Sequence, residues 1–123
     1  MSRQNGYAYR QGEGLSIVLR GTTMHVKVTQ EQSLGTFSVI EMAHPPKLSI
    51  PLHVHPRGHE AFYVLDGSYR IRCGEEQYES QRGDFVFVPK GLTHNYEVGP
   101  EGGRLLVVSP PGPEKFFYNL ARP

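Results

Sequence analysis

Apolar and polar residues alternate with a period of two through much of the chain. Met24, Val26 and Val28 are interleaved with His25, Lys27 and Thr29, the pattern of a half-buried strand. Residues 15–19 and 37–42 are two more strand candidates, rich in aliphatic and β-branched side chains. His44-Pro45-Pro46 ends the second of these and reads as loop. Residues 60–65 and 68–73 read as a hairpin turning at Asp66-Gly67, because Asp-Gly suits the positive φ angles of tight turns. Residues 85–88 form a buried strand stopped by Pro89. Residues 94–98 and 104–108 form the last two strands, joined by a turn over 99–103. The tail changes period. Pro113 suits a first helical position, and Phe116, Phe117 and Leu120 are helically spaced. This predicts a short C-terminal helix over 113–120 that packs its aromatics on the sheet.

Many short strands between turns argue for an all-β sandwich or barrel. Residues 1–13 form a polar lead without periodicity, and 14–123 form one domain. The length of 123 residues, with 14 Gly and 10 Pro, suits one core and many turns. A formal net charge of +1 without a dense Lys/Arg stripe argues against nucleic acid as a partner. No apolar run approaches the roughly 18 residues of a membrane span. The polar start lacks the apolar core of a signal peptide, and Cys73 is the sole cysteine. Together these predict a soluble, cytoplasmic protein.

Candidate chemistry gathers in the middle of the chain. On a strand, His53 and His55 would share a face, so both imidazoles can enter one cavity. Glu60 follows a short connection containing Pro56 and Gly58, and His94 follows the Gly91-Leu92-Thr93 turn. A rolled sheet can bring these four together. His-x-His alone is a weak signal. The set of spacings is a strong one. His53-x-His55, four residues, Glu60, six residues, Gly67 is followed by Gly83, five residues, Pro89-x-Gly91, two residues, His94.

This pair of motifs resembles those of the cupin superfamily. Two positions depart from the family pattern: Lys47 where the first motif opens with Gly, and Val98 where the second closes with Asn. The resemblance implies a double-stranded β-helix, or jelly-roll barrel. It also implies one divalent transition metal per chain (iron, manganese, nickel, copper or zinc), held by His53, His55, Glu60 and His94. Small one-domain chains of this pattern are similar to quercetinase-like dioxygenases, in which Glu60 would leave the metal to act as catalytic base. The alternatives at the same site are isomerisation, cyclisation, decarboxylation or hydrolysis at a polarised carbonyl, or non-catalytic sugar or metabolite binding.

Strand parity puts Phe62 and Val64 on the face of Glu60, and Tyr96 on that of His94, as candidate substrate contacts or plain core. His59 neighbours Glu60 and is read as exposed or supporting rather than ligating. His25 reads as outward-facing, Cys73 as a small packed apolar group, and Arg70 and Arg72 as a solvated strand face. A small molecule is the expected substrate. A bare edge at strand 15–19 predicts a homodimer, with exchange of the N-terminal strand as one route.

Overall fold

The computed structural model describes residues 4–122. The first three residues of the expected lead, and Pro123, lie outside the described residues. Among the described residues, seven strands are followed by one helix: β1 (Leu15–Leu19), β2 (Thr22–Val28), β3 (Ser38–His44), β4 (Glu60–Cys73), β5 (Glu76–Gln81), β6 (Phe85–Val88), β7 (His94–Ser109) and α1 (Pro113–Ala121). All pairings are antiparallel, in the order β1-β2-β3-β7-β4-β5, with β6 also on β4. The all-β architecture with a C-terminal helix is as the residue pattern predicts.

Two of the expected turns are not turns. Residues 60–73 form one long strand, and so do residues 94–109. The two run antiparallel to each other, with register shifts between Val64/Asp66 and Gly67/Tyr69. Across the irregular stretch as a whole, the inward-facing parity of each strand inverts once. Glu60, Phe62 and Val64 are buried in the first half of β4, but Tyr69, Ile71 and Cys73 in the second. In β7 the buried set passes from His94, Tyr96 and Val98 to Leu105, Val107 and Ser109. A type I′ hairpin needs two consecutive residues at positive φ. Gly67 alone adopts it, at 73°. Its lack of a side chain serves the corner, since a Cβ there would lie 2.2 Å from the Gly102 carbonyl oxygen.

The true hairpin lies a few residues on, at Gly74-Glu75, where β4 turns into β5. Strand β5 has no counterpart in the apolar pattern because it is a polar edge strand with only Ser80 buried.

The bends fold the sheet into two layers. One holds β1, β2, β3, the second half of β7, the first half of β4, and β6. The other holds β5, the second half of β4, the first half of β7, and the extended segment 47–55. The layers face each other: Phe62 stacks edge-on against Tyr96 at 5.7 Å, although neither is the other's strand partner. Between them lies a core that includes Ile40, Val64, Ile71 and Leu105. At about 25 cal/mol per Å², each such side chain contributes roughly 2 kcal/mol by its burial.

Helix α1 forms as predicted but rolls differently. Phe117 and Ala121 pack on the core, whereas Phe116 and Leu120 are exposed. The rotation is set by Glu114, buried on the same face as Phe117. Its carboxylate accepts from Ser38 Oγ at 2.7 Å and from the Gln30 backbone N–H at 2.8 Å. No helix among the described residues is long and apolar enough to cross a membrane.

Candidate metal centre

Segment 47–55 is not a formal strand, yet it is pinned along the first half of β7. Val98 donates to the Leu48 carbonyl, Ile50 to that of Tyr96, and Gly91 to that of His55. His53 and His94 face each other as an antiparallel pair and exchange both backbone bonds, at 3.0 and 2.9 Å. The segment opens at Lys47, whose φ of 65° is left-handed. This is where the family motif carries Gly, the residue that adopts that conformation without strain. The chain then doubles back through Pro56-Arg57-Gly58 to open β4 at Glu60, on the facing layer.

His53, His55, Glu60 and His94 are thereby brought together. One donor atom from each lies within 4.8 Å of all the others. His94 Nδ1–H donates to the Leu92 carbonyl at 2.8 Å, and His53 Nδ1–H to the Pro51 carbonyl at 3.0 Å. A carbonyl can only accept, so these bonds fix the tautomer and leave each Nε2 as the donor atom for the cluster. Glu60 bridges two rings: Oε1 is 3.0 Å from His94 Nε2 and Oε2 is 3.4 Å from His55 Nε2. The His53 and His94 ring centroids are 4.2 Å apart. Glu60 and His94 are buried; His53 and His55 are half-buried.

Burial and the neighbouring imidazoles lower the His53 pKa, against the raising effects of Pro51 and Glu60. In His94, burial is the largest influence and disfavours the charged ring. The Glu60 bond, the Leu92 carbonyl and the charge of Glu60 together outweigh it and raise the pKa. Either a proton on His94 Nε2 or a cation shared with Glu60 satisfies this contact. Three imidazole nitrogens and one carboxylate form a donor set that fits a divalent transition metal.

Of the remaining sequence candidates, Phe62, Val64 and Tyr96 are all buried in the barrel interior, with the Phe62 ring 6.3 Å from that of His94. His59 is exposed and stands apart from the donor cluster, where its Nδ1 accepts from the Lys90 backbone N–H at 3.0 Å. Cys73 is buried, which raises its pKa. Arg70 pairs with Glu79 on an exposed cross-strand face.

The reading of His44 as loop is corrected. It ends β3, is 7% exposed, and lies between two tyrosines. Its Nδ1 is 2.7 Å from Tyr69 Oη and its Nε2 2.8 Å from Tyr96 Oη. A neutral imidazole has one donor and one acceptor, so it satisfies both hydroxyls. Burial pushes the pKa of His44 down to about 4 and raises those of both tyrosines. The available signal was parity: His44 is in phase with buried Ile40 and Met42.

The motifs, the folded-over sheet and the convergent donors are matched by a family model for the cupin domain, which covers residues 39–109. The chain belongs to the cupin family. This cupin is 26% identical over 114 residues to a quercetin 2,3-dioxygenase from Bacillus subtilis. The match takes in 93% of the chain but 34% of the dioxygenase, so the chain spans about a third of that relative. Among solved structures, the polyketide cyclase RemF from Streptomyces resistomycificus aligns with a TM-score of 0.73 and 24% identity, covering 86% of this chain and 80% of its own. An RmlC-like cupin from Shewanella frigidimarina aligns with a TM-score of 0.72 and 18% identity, covering 94% and 99%. These likenesses establish the double-stranded β-helix fold.

Proposed function

We propose that this cupin is a metal-dependent enzyme of dioxygenase type acting on a small organic molecule. The observation that carries the reading is the convergence of four donors within 4.8 Å. Similarity to a quercetin dioxygenase over 93% of the chain gives it direction. His53, His55, Glu60 and His94 would hold one iron, manganese, nickel, copper or zinc ion. Such an ion supplies Lewis acidity and, where redox-active, one-electron chemistry.

The chain's own groups bind and move protons. His53 and His55 are the half-buried donors, the ones an incoming substrate would meet first. Phe62, Val64 and Tyr96 form the apolar wall that excludes water from the inner side. Glu60 acts as base through Oε2, the oxygen with the longer of its two imidazole contacts at 3.4 Å. It takes the proton of an incoming enol or phenol hydroxyl.

Elemental analysis of the purified chain tests the site. Bound metal is expected in the native protein and lost in both His53→Ala and His94→Ala, with circular dichroism unchanged. Oxygen uptake with a panel of enols and phenols, quercetin included, tests the reaction. It is expected to require metal and to be lost in Glu60→Gln. Retention of metal in the histidine variants would sink the site, and metal-loaded protein that consumes no oxygen would sink the dioxygenase reading.

A second reading, a metal that polarises a carbonyl for cyclisation, isomerisation or decarboxylation, is supported by the fold shared with a polyketide cyclase. Turnover with zinc and without oxygen would select it.

A further inference from the structure

A cleft of about 680 Å³ lies against the outer face of the sheet. Its floor is Val28, Val39 and Leu106, on the adjacent strands β2, β3 and β7. Val39 and Leu106 alternate with Ile40, Leu105 and Val107, which face the core, so the thickness of the sheet separates the cleft from the barrel interior. Tyr7, Tyr9 and Phe37 wall it, each 40–47% exposed. The volume falls within the roughly 300–1,000 Å³ of small-molecule sites, whose linings are likewise mainly aromatic and aliphatic. The walls are fixed before any guest arrives. The Tyr7 hydroxyl donates to the Lys27 carbonyl at 2.5 Å, and the Gln4 amide donates to the Gln32 carbonyl. The Lys27 ammonium donates to the carbonyls of Arg10 and Glu13 at 3.1 and 2.6 Å. The N-terminal segment is thus tied to β2 on both sides of Tyr9.

Charge and ring geometry set the class of guest. Among the described residues, Lys27 is the one charged side chain in the lining. Its three N–H groups are taken by the two carbonyls and by Glu41 at 3.1 Å. No charge is left for an anion, and no carboxylate lines the cleft to hold a cation. The Tyr7 and Tyr9 rings are 5.1 Å apart and inclined by 60°, which makes an aromatic corner. A flat ring can stack on one and set its edge against the other, the two arrangements that aromatic pairs prefer. Gln32 Oε1 accepts from the Thr29 backbone N–H at 2.9 Å, which leaves its side-chain N–H₂ as donor. That group and the Tyr9 hydroxyl have no partner among the described residues, and both residues line the cleft. They suit a hydroxyl or carbonyl oxygen on the guest.

We propose that this cleft is a second ligand site, separate from the metal centre, for an uncharged planar aromatic molecule with a hydroxyl or carbonyl at its edge. The site stands whether or not the centre is catalytic. Equilibrium dialysis of the purified full chain against 2-naphthol at pH 7 tests it. One saturable site per chain is expected. Tyr9→Ala and Phe37→Ala, both at exposed rings, are each expected to weaken binding about tenfold with circular dichroism unchanged. 2-Naphthoate, of like shape but anionic, is expected to bind about tenfold more weakly than 2-naphthol, because Lys27 is already paired. His53→Ala is expected to bind 2-naphthol as the native chain does. Absence of saturable binding would overturn the proposal. Binding that both ring variants leave intact, or that 2-naphthoate matches, would overturn it too. Loss of binding in His53→Ala would do the same by moving the guest to the metal centre.

Discussion

Four side chains in this cupin act as a set because the backbone aims them. Two of the three imidazoles are turned by carbonyls two residues upstream, and the carboxylate spans the remaining gap. His44 is the opposite case, a histidine whose value lies in staying neutral. Its folded pKa of about 4 lies below the ordinary 6.5. Between those values the unfolded chain binds a proton that the folded chain refuses. The contribution is therefore intact above pH 6.5 and drains away as the pH falls toward 4, by on the order of 3 kcal/mol in total. Urea titrations at pH 7 and pH 4.5 are expected to show a steeper loss in the native protein than in His44→Gln, which keeps hydrogen-bonding capacity but does not titrate. Equal slopes would refute the assignment. The four candidate donors were legible from spacing because the motif fixes residue type and interval together. His44 was hidden by the prolines that follow it, although its parity with Ile40 and Met42 was in plain view.

At the scale of elements, the pattern of apolar residues located β1, β2, β3, β6 and α1, and concealed how β4 and β7 are built. A bulge and a hairpin both interrupt alternation, and Asp-Gly serves either. What separates them is whether the flanking halves pair with each other or with a third strand, a long-range fact absent from a local pattern. The polar face of β5 gave no signal because an edge strand buries little. The corner itself is testable. Gly67→Ala places a Cβ against backbone at 2.2 and 2.7 Å while holding φ at 73°. A destabilisation of about 3 kcal/mol or more is expected from chemical denaturation. Gly83→Ala, at φ 92° with nothing within 4 Å, is expected to cost only about 1 kcal/mol. Equal costs would show that close approach is not what the corner demands.

For the whole molecule, the centre links the two layers. His94 and His53 belong to one, and Glu60 opens β4 on the other. A cation gripping both adds stability by mass action, about 2.7 kcal/mol when free metal exceeds its dissociation constant a hundredfold. Chelation is therefore expected to lower the melting temperature of the native chain by several degrees and to leave that of His94→Ala unmoved. A native protein indifferent to chelator would argue that the layers are held by their apolar core alone. The carbonyls of Pro51 and Leu92 carry a further implication. Because they, rather than any guest, dictate ring attitude, one divalent ion should be exchangeable for another without refolding. Choice among ions then passes to cellular supply and to the single carboxylate in the donor ring.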